Sequence, residues 1–287
     1  MKQIFNNKQR KIFDAHSHIG KFGQWTMKGN LVEPFFGREI TNYSDQKEYM
    51  QKLGINKAIV VPHYTPDQNV PFEIYNKIVL ETVKKLDNVY GALWVSPLKE
   101  NLSKTLEVLK LLPVNKIVAL KISPDSWPKG KTPNPQTWDD DFKKGFELII
   151  EAAKKHSLII QTHTGNDNSD ILNFVPFVEK YGEGLKIHFC HMGGSAGGQI
   201  AFTPRFIDWL KKGYEFYCDT SFCKGFGPAW LVKEMIEKYP KGLNNIMFAS
   251  DSPWGLFESE FYRVEAIDCS DEIKNKIFYE NATNIYL

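Results

Sequence analysis

The sequence predicts a single-domain (β/α)8 TIM barrel, on three observations. Short apolar, β-rich runs alternate with longer amphipathic stretches from end to end. There are eight such runs, the number that closes a parallel sheet into a barrel. Histidine and aspartate recur where those runs end. A doubly wound open sheet is the alternative that periodicity alone leaves standing. The 287 residues, 42% hydrophobic, suffice for one large core, and barrels of about 250 residues commonly form one domain. No repeat, low-complexity tract or linker divides the chain, so residues 1–287 are read as one domain.

Strand one is read at Ile12–His18 and strand two at Lys57–Pro62. The helix-period segment Phe72–Leu86 then leads to strand three, Val89–Val95, and Leu102–Leu112 leads to strand four, Lys116–Ile122. Phe142, Phe146, Ile149, Ile150 and Ala153 form an apolar stripe at helical spacing ahead of strand five, Leu158–His163. Ile171–Tyr181 precedes strand six, Leu185–His191. Ile200–Lys211 precedes strand seven, Tyr214–Ser221, and Ala229–Tyr239 precedes strand eight, Asn245–Asp251.

Two connections are long, one after strand one and one after strand four. Gly20 to Ser44 carries Phe22, Trp25, Phe35, Phe36 and Arg38; Ser123 to Thr137 is Pro-rich, with Asp125, Trp127, Lys129 and Lys131. Both leave the C-terminal end of a strand, where barrels build their sites, and both are expected to form a lid or pocket wall. Their aromatics, with Trp254, suggest an apolar or planar small molecule as partner.

Lys and Arg total 36 against 34 acids, a net charge of +2, which gives no electrostatic reason to expect nucleic acid or an anionic membrane as partner. No stretch approaches the roughly 20 apolar residues of a membrane span. Met1 to Lys11 contains charged residues and no apolar run, so no secretory signal is read there. The four cysteines, Cys190, Cys218, Cys223 and Cys269, follow no secreted spacing and suit a cytoplasmic chain. Self-association into a homo-oligomer is compatible with all of this.

The chemistry-bearing residues fall together. His16 and His18 end strand one, His163 strand five, His191 strand six and Asp251 strand eight. Side chains alternate along a strand, so His16 and His18 share a face, the interior in a barrel. Four imidazoles and a carboxylate at one rim would converge, and three imidazoles with a carboxylate suit Zn²⁺ and related first-row ions. Each residue alone has a plainer reading: a hydrogen-bonded core histidine, or for Asp251 a helix cap. Jointly they point to a metal site.

The chain resembles the amidohydrolase superfamily, in the amidohydrolase-related branch that includes aminocarboxymuconate-semialdehyde decarboxylase. The residues that carry the resemblance are Phe13-Asp14-Ala15-His16-Ser17-His18, Ala119-Leu120-Lys121-Ile122-Ser123-Pro124 and Gln161-Thr162-His163. His191-Met192-Gly193-Gly194, Asp219-Thr220-Ser221, Ala249-Ser250-Asp251-Ser252-Pro253 and Tyr279-Glu280-Asn281-Ala282-Thr283 follow in the family's order. The resemblance implies that His16, His18, His163 and Asp251 bind a divalent metal, most simply one Zn ion rather than two. It implies that His191 bonds the substrate or the attacking water, and that Asp251 doubles as the proton acceptor. Lys121 would be carboxylated and bridge two metals in two-metal members; in the one-metal branch it would stay free and meet substrate anionic charge. A related lactonase branch keeps much of this residue set without a metal.

Hydrolysis of an amide, ester or lactone bond in a small molecule is the leading expectation, since a metal lowers the pKa of bound water towards ~7. The alternative is non-oxidative decarboxylation of a small unsaturated or aromatic carboxylate, with Arg38, Arg205, Lys224, Lys129 or Lys131 as candidate seats for the carboxylate. A non-catalytic barrel would predict a broken ligand set, and this one is intact. By strand parity Asp14 should share the interior face of His16, while His188 and Cys190 should face the outer helices. His63 follows strand two and is read as a pocket or a loop residue alike. Gly193 to Gly198 lacks a phosphate-loop frame and reads as a flexible rim segment.

Overall fold

Each apolar run becomes a strand hydrogen-bonded to the next in chain order. They are β1 (Phe13–Ile19), β2 (Lys57–Pro62), β3 (Val89–Trp94) and β4 (Ile117–Ile122). β5 (Ile159–His163), β6 (Lys186–Cys190), β7 (Glu215–Asp219) and β8 (Ile246–Met247) complete the set. All paired neighbours are parallel. This computed structural model describes residues 10–20, 25–27, 30–32, 40–63 and 72–287.

Parallel neighbours require a crossover after each strand, and helices supply them. They are α1 (Tyr43–Leu53), α2 (Phe72–Lys85), α3 (Leu102–Lys110) and α4 (Asp140–Lys155), then α5 (Ile171–Tyr181), α6 (Ala196–Lys211) and α7 (Gly227–Lys238). After β8 come α8 (Phe257–Glu265), α9 (Asp271–Asn275) and α10 (Asn281–Tyr286). The segment after β8 meets β1: Ala15 N–H donates to Phe248 O at 3.0 Å, and Asp251 N–H to His16 O at 2.9 Å. A sheet whose order never reverses and whose ends meet is a nearly closed barrel, not a doubly wound sheet.

Two apolar layers follow from strand alternation. Phe13, Ala15, Ile59, Val61, Ala92, Ala119, Ile159, Met247 and Ala249 fill the barrel, plugged by Ala282 and Tyr286 of α10. A larger layer between sheet and helices includes the α4 stripe of Phe142, Phe146, Ile149, Ile150 and Ala153, all buried. Asp139 caps α4 by accepting from Phe142 N–H at 2.9 Å.

The first long connection holds a small hairpin, Trp25–Met27 against Asn30–Val32. Phe22, Phe35, Phe36 and Arg38 lie outside the described residues. In the second, Trp127 is buried edge-on against Phe142 and Phe146, with ring centroids 5.2 and 5.9 Å away. It seals the outer core over α4 instead of facing a ligand, which corrects the expectation for that tryptophan. Among the described residues no helix is long and apolar enough to cross a membrane.

Candidate metal centre

The C-terminal ends of β1, β5, β6 and β8 bring the predicted residues to one mouth. His18 Nε2 lies 3.1 Å from Asp251 Oδ1, and His16 Nε2 lies 3.6 Å from the same oxygen. Donor atoms of His16, His191 and Asp251 all fall within 4.8 Å of one another. His163 joins through His191, ring centroids 4.8 Å apart, and His191 sits 5.2 Å from His16. Two of these residues occupy left-handed backbone: His191 at φ 68° and Asp251 at φ 51°. Such conformations are uncommon outside glycine and cluster at functional sites.

Burial sets the protonation of the cluster. It holds the His16 and His191 imidazoles well below their usual range, helped by Lys121 for His16 and by His163 for His191. His18 is brought down to about 3 by burial and Lys121. Burial pushes the Asp251 carboxyl up to about 8 against the pull of Lys121 and His163. Neutral imidazoles are the form that ligates metals, and a cation between them and Asp251 would restore the carboxylate. The donor set therefore fits a divalent cation.

Lys121 points into the mouth as its parity predicts, its Nζ 3.3 Å from His16 Nε2 and 3.3 Å from Cys190 Sγ. The other cations weighed for a carboxylate seat that are described do not share this place. Arg205 donates to Ala201 O at 2.8 Å on its own helix, Lys131 pairs with Asp139, and Lys129 and Lys224 are exposed. His63 is buried beside the site, its ring 5.8 Å from His18 and 5.2 Å from Trp254. Burial and His18 keep it well below the usual histidine range.

Three parity assignments are corrected. The pairing of β1 with β2 slips between Asp14 and Ser17, a β-bulge. Phe13 and Ala15 therefore face inward below it and His16 above it, and Asp14 turns outward. There it accepts from Ser250 N–H at 2.9 Å and Ser250 Oγ at 2.6 Å, bracing the turn that carries Asp251. On β6, Cys190 faces Lys121 and His188 faces Gln161, so both point inward. His191 nevertheless reaches the site, because its positive φ breaks the alternation one residue past the strand. Gly193 and Gly198 form a tight crossing in place of a flexible rim: a Cβ on Gly198 would lie 1.9 Å from Gly193 O.

Asp219, at the end of β7, is the residue whose role the sequence did not reveal. Fully buried, its Oδ1 accepts from His191 N–H at 3.1 Å and from Ser221 N–H and Oγ at 3.0 and 2.6 Å. Its Oδ2 lies 3.4 Å from His16 Nδ1 and 2.9 Å from His188 Nε2. Burial raises this carboxyl, yet the polar His16 and His188 rings beside it outweigh burial and hold the group well below the usual carboxylate range. The signal available was positional: like the histidines, Asp219 closes a strand.

An amidohydrolase family model matches residues 14–287. A search of curated proteins found no match. The fold is similar to that of a probable 2-pyrone-4,6-dicarboxylic acid hydrolase from Acinetobacter baumannii, crystallised with citric acid, at TM-score 0.66 and 12% identity over 96% of this chain and 99% of that one. It is similar to 2,6-dihydroxybenzoate decarboxylase from Rhizobium at TM-score 0.66 and 13% identity, over 97% and 99% of the two chains. A third is 5-carboxyvanillate decarboxylase from Novosphingobium aromaticivorans, complexed with manganese and 4-hydroxy-3-methoxy-5-nitrobenzoic acid, at TM-score 0.65 and 14% identity over 100% and 99%. At such identities these likenesses speak to the fold, whereas the family match spans nearly the whole sequence. The chain belongs to the amidohydrolase family.

Proposed function

We propose that this protein is a metal-dependent enzyme that decarboxylates a small aromatic or unsaturated carboxylate without an oxidant. The observation that carries the reading is the meeting of Asp251 with His16, His18 and the Lys121 ammonium at one buried mouth. His16, His18, His163 and Asp251 would hold the metal, with manganese and zinc the ions to test first. When bound, the metal would orient the substrate and draw electron density from it. Lys121 would seat the substrate's negative charge without being carboxylated. Asp251, a carboxylate while it holds the metal, would relay a proton from solvent to the carbon bearing the carboxylate. The carbon–carbon bond then breaks, carbon dioxide leaves, and its electron pair closes the new carbon–hydrogen bond. His191 Nδ1 faces Ser221 O at 3.2 Å, which directs its Nε2 towards the cluster as an acceptor for a substrate hydroxyl. Two of the three similar structures described above are decarboxylases, which supports this choice.

Hydrolysis is the second reading. It is favoured by the same Asp251 oxygen beside His18 and His16, a position suited to take a proton from water, and by the similarity to a probable hydrolase. The protein loaded with Mn²⁺ or Zn²⁺ and offered hydroxybenzoates in D₂O should release carbon dioxide and gain deuterium at the vacated carbon. Lactones and esters in ¹⁸O-labelled water would instead acquire label in a product carboxylate if hydrolysis is the activity. Asp251→Asn should lower either rate by about 10²–10⁴-fold, the usual reach of general acid–base catalysis. Stoichiometric metal with no product from either panel would refute an enzyme of both kinds.

A further inference from the structure

A file of buried polar groups runs from the plugged bottom of the barrel to the candidate metal centre. The Tyr286 hydroxyl, on α10, lies 2.7 Å from His188 Nδ1. His188 Nε2 lies 2.9 Å from Asp219 Oδ2, which in turn lies 3.4 Å from His16 Nδ1. His16, His188 and Asp219 are all fully buried. We propose that Tyr286, His188 and Asp219 are positioning residues that fix the tautomer and aim of His16, setting how tightly the barrel mouth holds its metal. This rests on the reading of His16 as a metal ligand.

The direction of each bond follows from chemistry. The Gln161 amide faces Ala15 O at 3.0 Å, and a carbonyl only accepts, so the group there is the Gln161 NH₂. The same NH₂ is 3.2 Å from His188 Nδ1, which therefore accepts, its one lone pair shared between the Gln161 NH₂ and the Tyr286 hydroxyl 2.7 Å away. A neutral imidazole with Nδ1 accepting carries its proton on Nε2, so the N–H of His188 is on the side that faces Asp219, 2.9 Å away. The negative charge of Asp219, 3.4 Å from His16 Nδ1, then favours the His16 tautomer that carries its proton on Nδ1. His16 then turns its unprotonated Nε2 to the mouth, where Lys121 Nζ lies 3.3 Å away; that is the form a metal requires. Each link removes one wrong orientation of the next. Apolar groups of similar shape would fill the barrel equally well and would leave His16 free to choose the other tautomer.

The test is Mn²⁺ titration of chelator-treated protein by calorimetry, with visible absorption of the Co²⁺-loaded protein reporting ligand geometry. His188→Leu should weaken Mn²⁺ binding on the order of 10–100-fold, the usual cost of losing a partner behind a ligating histidine. Tyr286→Phe should weaken it a few-fold. His188→Gln keeps an N–H for Asp219 and an oxygen for Tyr286, so it should recover most of the affinity and the Co²⁺ spectrum. If His188→Leu fails to fold, Tyr286→Phe and His188→Gln carry the comparison. Wild-type affinity and spectrum in Tyr286→Phe and in any folded His188→Leu would overturn the proposal while leaving the metal centre intact. A wild-type protein that binds neither Mn²⁺ nor Zn²⁺ would overturn the metal centre itself, and this proposal with it.

Discussion

His191, Met192, Gly193 and Gly194 all hold positive φ, at 68°, 50°, 86° and 67°. Four consecutive residues in that region turn the chain sharply at the end of β6, and His191 enters the mouth because of it. The turn is held from two sides. Asp219 takes the His191 N–H at 3.1 Å, and Thr164 Oγ1 takes the Gly193 N–H at 2.7 Å. The crossing of Gly193 over Gly198 then leaves no room for a side chain. Gly198→Ala should destabilise the protein by about 1–3 kcal/mol, the range for overpacking, and displace His191. Gly197→Ala is the matched control, since nothing lies within 4 Å of its added Cβ and it sits in the first turn of α6. It should stabilise by about 0.4–1 kcal/mol by restricting the unfolded chain. Urea unfolding of both variants checks the pair, and equal effects would refute the crossing as the cause.

At the scale of elements, the seam between β1 and the segment after β8 closes the barrel and aligns the ends that carry His16, His18 and Asp251. Asp14 serves that seam. With its carboxylate gone, the buried Ser250 N–H and hydroxyl lose the partner they had at 2.9 and 2.6 Å. Asp14→Ala should cost about 1–3 kcal/mol, the penalty for stranding buried donors. Ser250→Ala keeps the backbone bond and should cost less, and an unfolding series with the double variant should show the two effects overlapping. The same seam shows what the sequence made legible. Eight runs and their order were readable because apolar periodicity follows burial, and His16, His18, His163, His191 and Asp251 were readable because each closes a run. Their exact facing was not. A bulge between Asp14 and Ser17 and a left-handed His191 each shift the alternation by one residue, and neither leaves a mark in side-chain pattern. α1 was hidden for a different reason: its buried residues are only Gln46, Tyr49, Met50 and Leu53, too few apolar positions for a clear stripe.

For the molecule as a whole, the barrel joins two environments end to end. Its lower interior is mainly apolar and plugged by α10, with the Tyr286 hydroxyl and His188 as polar exceptions, whereas its upper interior carries imidazoles, carboxyls and Lys121 away from water. Burying such groups is costly unless they are paired or coordinate a cation. Asp251, pushed up to about 8 by burial, is where that cost shows. A divalent ion at the mouth would relieve it, and only the folded chain gathers β1, β5 and β8 into a site. Binding therefore stabilises the native state by mass action, by about 2.7 kcal/mol at a free metal concentration 100 times Kd. For a chain near this size each kcal/mol moves Tm by roughly 2–4 °C. Chelator-treated protein should melt roughly 5–10 °C below protein supplied with Mn²⁺ at that excess, and Tm should climb with the logarithm of metal concentration. Calorimetric scans across a Mn²⁺ series provide the measurement. In Asp251→Asn the climb should begin only at higher metal concentration, because the amide offers no negative charge. A Tm indifferent to metal in the wild type would mean that the buried cluster is held by Lys121 and its hydrogen bonds alone.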